Sequence, residues 1–573
     1  MDKKTILGFV VIMAIVLLWL PLWNFFFPPP PRPVAPADTA AVASDTLAAR
    51  ETIAAAIAPP SPVLQTPDSV TLAAQAAPES LVTIDTKSLR IVLTSKGGNV
   101  RQVVLKSYLT KGASLVTMLN GNPVPDWGKF GALTVGYNEH IPAFNDINFR
   151  VKGEDRILNN VDSVCSVIFT YTGQDGGEIV KTYTFHHEDY LFDLAISISD
   201  PRKLDLVQGV TVGWFNPLEP TELDLNQDRG KLGAFFYGSG EFESANKLKN
   251  RALRQVLTGP IEWVATRTKY FTAIVIARGE PAREVVAIGQ EASRININGS
   301  PMSWPEFGVG MTYGTPAEQS SYNFSVYTGP LDYDRLREKG MGLSNLVDLG
   351  WWLFRPFAIA ILWLFTNMHK AIANYGLVII IFAILMKAVF WPLSLKTAKS
   401  MYRMKEIQPK LQEVKEKYKN DPAKMQQETM KAYKEYGVNP FGSCLPMLIQ
   451  MPIFFALYSV LSNTIELRGA DFAFWITDLS QPDPWGIPVF GFRVTVLSVL
   501  MGLAMFFQQK MTVTDPKQKM MVYMMPVIFV VIFGNLASGL VLYWTVFSVI
   551  GIFEQWMVLR HIKAEKEARA ARG

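Results

Sequence analysis

Few residues in this 573-residue chain are of types and spacings that could do chemistry. His187-Glu188 opens like the zinc-protease pattern HExxH, but position 191 is Leu, so the second metal ligand is missing. No GxxxxGK[ST] phosphate loop and no GxSxG nucleophile elbow occurs, and the 5 histidines are otherwise scattered. The 2 cysteines, Cys165 and Cys444, cannot build a disulfide framework or a Cys-rich zinc site. Cys165 lies in a β-rich run and reads as a small buried apolar residue before it reads as a nucleophile. Acidic residues in 81–333 are numerous enough for two to meet on folding as a glycosidase-like pair, but no spacing singles any out. The expectation is a protein that is not an enzyme and uses no metal and no cofactor.

Lys387 stands apart. It sits in IIIFAILMKAVFWPL, an apolar run long enough to lie in a bilayer, where a lone lysine costs about 2.5–3.5 kcal/mol. Its stem can snorkel to the cytoplasmic interface, or it can face a water-filled cavity open to the cytoplasm. Polar residues in neighbouring apolar runs favour the cavity: Gln450, Gln508, Gln509, Tyr543, Trp544, Thr545 and Ser548. Each is weak alone, because Ser and Thr can bond their own helix backbone. No other ionisable residue is expected near the middle of a span, and Arg493 lies close to an end. That argues against an energy-coupled transporter.

The elements that must hold these residues follow from composition and charge. Hydrophobic residues make up 49% and charged residues 18%, below the roughly 25% of soluble proteins, and mean hydropathy is +0.15. Such a chain is too apolar to be disordered, and its net charge of +5 is too small to indicate a direct nucleic-acid partner. Residues 1–27 read as an N-terminal transmembrane anchor, with Lys3 and Lys4 on the cytoplasmic side. A cleaved signal peptide is the alternative, but the apolar run is long for one. Residues 28–80, rich in Pro and Ala, read as an extended linker. Residues 81–333 alternate apolar and polar positions between Gly, Pro and Asn breaks, which predicts an all-β domain beyond the membrane.

Residues 334–573 are nearly all membrane. Residues 342–366 are apolar but interrupted by Arg355-Pro356, and 375–393 follow at once. The 11 Lys and Arg of 396–434 place that segment in the cytoplasm, which leaves one crossing before it. Residues 342–366 are therefore expected as an interfacial helix and 375–393 as a span. Met401, Met404, Ile407, Leu411, Val414 and Tyr418 recur at three and four over the segment 397–436, which predicts a helical hairpin broken at Asn420-Asp421-Pro422. Further spans are expected at about 443–463, 488–508, 521–537 and 539–559, with a basic tail at 560–573. The total is six transmembrane helices, both termini cytoplasmic and residues 28–333 periplasmic. Of the 22 methionines, 17 fall in 341–573, a flexible and polarizable surplus suited to varied apolar partners.

The run Asn439-Pro440-Phe441-Gly442-Ser443-Cys444-Leu445-Pro446-Met447-Leu448-Ile449-Gln450-Met451-Pro452 closely resembles the signature of the YidC/Oxa/Alb membrane protein insertases. Ser538-Gly539-Leu540-Val541-Leu542-Tyr543 is similar to their last span. Trp263, Lys269-Tyr270-Phe271 and Tyr327-x-Gly329-Pro330 resemble the periplasmic domain of the Gram-negative branch. The resemblance implies a periplasmic β-supersandwich, shaped like sugar mutarotases. It also implies a hydrophilic groove among the last five spans, open to cytoplasm and lipid. Nascent inner-membrane proteins would be its substrates and membrane lipids its surroundings. The Sec translocon would be a partner, and the hairpin and tail would meet the ribosome or signal recognition particle machinery. The family's bacterial members usually carry arginine where Lys387 stands. Lysine keeps the charge but loses the planar two-point fork. Two other classes remain: a channel or transporter, and a membrane-anchored sugar-binding sandwich.

Overall fold

The computed structural model describes residues 78–110, 112–121, 132–136, 144–222, 225–248, 252–295, 299–437, 445–489, 492–512 and 519–570. The expected anchor 1–27 and nearly all of the linker 28–80 lie outside these residues.

Residues 81–330 carry eighteen strands. Alternation decides their faces: in Glu178–His186 every second residue is buried, Ile179, Lys181, Tyr183 and Phe185 among them. One antiparallel ladder runs from Val164–Thr172 through Glu178–His186, Leu191–Ser199, Gln319–Pro330 and Phe271–Ala277 to Ala252–Arg267. A second runs from Leu81–Asp85 through Leu89–Thr94, Asn99–Leu109, Ala132–Gly136, Val210–Trp214 and Pro301–Tyr313 to Ala282–Ile295. The two share the strand Ala252–Arg267, whose register shifts between Thr258 and Ile261 at Gly259-Pro260. Its first half pairs with Ala282–Ile295 and its second with Phe271–Ala277, so one bent strand turns the corner between ladders. Gly97 and Gly98, at φ +65° and +56°, make the tight turn into Asn99–Leu109.

Lys181 reaches from the first ladder into the second. Its ammonium donates to Gly97 O at 2.7 Å, Asn99 Oδ1 at 2.8 Å and Leu133 O at 3.0 Å, and Tyr183 Oη donates to Gly98 O. The two faces therefore oppose one another, with three N–H donors set among four acceptors, Gly98 O the most distant at 3.4 Å. Burial pushes the Lys181 amine down to about 7. Cys165 is half-buried at one edge rather than in the core.

Seven helices of the C-terminal region carry the argument. They are α1 (Arg355–Ala371), α2 (Tyr375–Lys417), α3 (Pro422–Glu435), α4 (Leu445–Asn463), α5 (Val496–Thr512), α6 (Lys519–Phe533) and α7 (Ser538–Ala570). Several boundaries differ from expectation. The helix expected over 342–366 is instead a short 3₁₀ turn, Leu343–Leu346, followed by α1. Pro356 falls in the first turn of α1, where it needs no N–H bond, so Arg355-Pro356 begins the helix and does not interrupt it. The span 375–393 and the first arm of the hairpin are one helix of 43 residues that passes through Pro392 and Pro409. The strands Gly486–Val489 and Phe492–Thr495 pair antiparallel, so α5 starts eight residues later than 488. The basic tail continues α7 as helix to Ala570.

In the hairpin, Ile407 and Leu411 of α2 bury against Ala432 of α3, with Met404 and Tyr433 beside them. Asp421 caps α3 by accepting from Lys424 N at 3.0 Å. Among the described residues two helical segments are long and apolar enough to cross a membrane, Tyr375–Thr397 and Ser538–His561, and Val496–Met511 and Val522–Phe533 are shorter apolar helices. The described residues thus do not establish six spans.

Candidate functional site

Segments of α2 and α7 lie side by side and parallel. A Cβ at Gly539 would stand 3.2 Å from Ile379, and the rings of Phe382 and Tyr543 are 5.8 Å apart. Further along the same seam Lys387 Nζ meets Glu554 Oε2 at 3.0 Å. Their side chains are only 9% and 8% exposed. Lys387 also lies 4.0 Å from the centre of the Phe547 ring, a cation–π contact in a sheltered place.

Gln508 of α5 completes this cluster. Gly551 lies one turn before Glu554, and a Cβ there would collide with the Gln508 amide and stand 3.1 Å from Lys387 Nζ. The missing side chain is what lets both groups reach over α7. Glu554 Oε1, on the far side of the carboxylate, is buried without a hydrogen-bond partner among the described residues.

A second polar contact lies nearer the other end. Gln450 Nε2 of α4 donates to Tyr543 Oη at 3.2 Å. Here α4 runs antiparallel to α7, since Leu461 nears Gly539 while Phe454 meets Trp544 at 5.4 Å. Trp544 is packed among Phe454, Phe529, Phe533 and Phe547 and serves as an aromatic wall. Thr545 donates to Val541 O on its own helix.

The structure therefore brings Lys387 together with Gln508, and Gln450 with Tyr543. Gln509 is half-buried and joins neither group among the described residues. Of the motif residues, Asn439, Pro440, Gly442 and Cys444 lie outside the described residues, Pro446 lies in the first turn of α4, and Pro452 lies inside it. The expectation that Lys387 is the lone ionisable residue near a span's middle is corrected by Glu554. Both the snorkelling lysine and the solvent-facing lysine give way to a buried ion pair. The signal for Glu554 was present in the sequence: a carboxylate within the apolar run 539–559, five residues from its end. Gly551 and Phe547 carry no such signal.

Around the pair the bundle is inverted relative to a soluble protein. Trp352, Val389, Val527 and Phe553 are 68%, 60%, 64% and 58% exposed, with Ile384, Leu503 and Phe507 also outward. Polar groups point inward and large apolar ones outward, an arrangement stable in hydrocarbon and not in water.

The β-rich domain is bonded to this bundle mainly through its second half, with Leu109 O of the first half also accepting from Arg468 at 2.9 Å. Lys231 Nζ pairs with Asp348 at 2.6 Å, Trp263 Nε1 donates to Met341 O at 2.7 Å, and Tyr270 Oη donates to Ser462 O at 3.1 Å. Arg468, just beyond α4, meets Glu222 at 2.7 Å, with side chains 8% and 2% exposed. The Lys231 ammonium holds the Asp348 carboxyl well below the usual carboxylate range, whereas burial pushes Glu222 up.

Fold and site together define an integral membrane protein with a large β-rich domain and a helical region built around inward polar groups. The model for the YidC periplasmic domain matches residues 81–364, and that for the 60Kd inner membrane protein matches 367–566. The chain is 32% identical to the membrane protein insertase YidC of Chlorobaculum parvum, over 100% of this chain and 97% of that one. It is 33% identical to the membrane protein insertase YidC of Syntrophus aciditrophicus, over 97% and 99%. A solved structure of an active YidC insertase is 20% identical and covers 84% of this chain and 95% of that one, with a TM-score of 0.35. The chain belongs to the YidC family of membrane protein insertases.

Proposed function

We propose that this protein inserts nascent proteins into the bacterial inner membrane and assists their folding. The observation that carries the reading is family membership through both regions, the β-rich domain and the helical one. No nucleotide loop or catalytic motif competes with it. The polar seam between α2, α5 and α7 suits this task, because it places hydrogen-bonding groups at a depth where hydrocarbon offers none. A polar segment of the substrate rests against Lys387, Gln508, Gln450 and Tyr543 while its apolar helix leaves into lipid. Solvation of about 20 apolar residues supplies the driving force. In this arrangement residues 28–333 are periplasmic, both termini are cytoplasmic and six helices cross the membrane. The α2–α3 hairpin and the basic end of α7 meet the ribosome or targeting machinery, and the Sec translocon is a second route to the same lipid exit.

The test is depletion of the protein in its host, followed by topology assays on small inner-membrane proteins. Loss of their insertion supports the reading; unchanged insertion at full depletion overturns it. A second reading draws on Lys387–Glu554, since ionisable groups facing each other across spans are what a channel or transporter needs. One pair makes no relay across a bilayer. Purified protein in vesicles that carries ions down a gradient would favour it.

A further inference from the structure

We propose that Glu554 is a resident counter-ion that occupies Lys387 in the empty insertase and is exchanged for a carboxylate of the incoming segment. The proposal rests on the insertase reading above and deepens it by naming the group the substrate must displace.

A lone lysine in a low-dielectric seam would attract any acidic segment from a distance. Here the lysine is engaged on two sides, by Glu554 Oε2 at 3.0 Å and by the Phe547 ring at 4.0 Å. An ion pair at that separation presents a dipole, whose field fades faster with distance than that of a charge. The cluster therefore discriminates at contact and contributes little to long-range steering.

Three features fit exchange better than a fixed structural bridge. Glu554 uses one oxygen for Lys387, while its Oε1 is buried and has no hydrogen-bond partner among the described residues. A bridge built only for stability would satisfy both oxygens, because an unpaired buried acceptor is costly. Next, Gly551 removes the one side chain that would fill the space beside Lys387 Nζ and the Gln508 amide. Lastly, the pair ties α2 to α7 with no other Asp, Glu, Lys or Arg near the middle of either span, so breaking it frees the lysine ammonium for one acidic side chain of the substrate. The ligand class is a polypeptide segment carrying Asp or Glu.

The experiment uses full-length protein in phospholipid vesicles and a single-span substrate whose translocated tail carries either no aspartate or two. The readout is the inserted fraction with two aspartates divided by that with none, at matched protein. Glu554→Gln frees the lysine and should raise this ratio at least threefold over wild type. Glu554→Asp, one methylene shorter, should raise it less. Lys387→Ala leaves Glu554 to repel the tail and should lower the ratio, and Lys387→Ala with Glu554→Gln should return it to near one. A ratio unchanged in both Glu554→Gln and Glu554→Asp sinks the exchange, whatever Lys387→Ala does, and leaves the insertase reading standing. Wild type that inserts no better than empty vesicles sinks both. Should Glu554→Gln fail to accumulate, the ratio of Glu554→Asp decides alone.

Discussion

Lys181 shows how a single buried cation can fasten two sheets. Lys181→Met keeps the length and apolar stem but strands Gly97 O, Leu133 O and Asn99 Oδ1. The expected loss is about 2–4 kcal/mol, read as a lower thermal midpoint of the β signal in the detergent-solubilised chain. Glu466, just beyond α4, makes the opposite case. Burial first, then Asp332 and Asp334, push its carboxyl up to about 7, and its Oε2 is shielded without a partner among the described residues. With the folded value above the unfolded 4.5, the folded state holds a proton that the unfolded state has released between about pH 4.5 and 7. Stability is therefore lost as pH rises through that window. Glu466→Gln should be close to wild type at pH 5 and pull ahead by about 2 kcal/mol at pH 8.5, measured by thermal unfolding at both. Equal gaps at the two pH values would refute the assignment. At this scale the sequence was half legible. Lys387 announced itself through a costly context. Its partner Glu554 is 167 positions away, and only the parallel register of α2 and α7 brings the two together.

Among the elements, strand alternation and the hairpin seam could be read because each is a local period imposed by one buried face. What could not be read were junctions. The sequence leaves α2 divided at 393–397, but a helix tolerates Pro392 when neighbouring groups take up the freed carbonyl. The paired strands Gly486–Val489 and Phe492–Thr495 hide in an apolar stretch because four-residue strands leave too short a pattern. The linker composition suggested a loosely hung β-rich domain, yet its second half is bonded to α4 and its flanks. Deletion of the whole domain would strip Ser462, Arg468 and Asp348 of buried partners, so such a deletion tests docking as well as function. A narrower probe is Arg468→Ala, which abandons the Glu222 carboxyl inside the interface. It should loosen docking by about 3–5 kcal/mol, seen as faster amide exchange at 220–231 and 341–348 with exchange in the strand Glu178–His186 unchanged. Protection equal to wild type at the interface would show that the pair contributes nothing there.

For the whole molecule the charge pattern predicts which side each part faces. The 11 Lys and Arg of 396–434 predict that the hairpin is cytoplasmic, and the β-rich domain that holds Gly299 is expected on the opposite side. With Cys165 and Cys444 replaced, a cysteine at Gly299 should react with a membrane-impermeant thiol reagent in intact cells, and one at Lys415 only after lysis. Labelling at Lys415 from outside would reverse the arrangement and turn α1 into a crossing. Mechanics follow from the unbroken run of α2. At 1.5 Å per residue its 43 residues make a rod about 65 Å long, with the hairpin at one end and the ion pair partway along. A rod transmits torque; of its two missing backbone bonds, the one at Pro409 is braced by the packing of Ile407 and Leu411 on α3, which leaves Pro392, just over one turn beyond Lys387, as the weaker point. Load on the hairpin is thus taken up first as flexure at residues 388–392. The hairpin end can swing with whatever docks on it while the charged seam keeps its alignment.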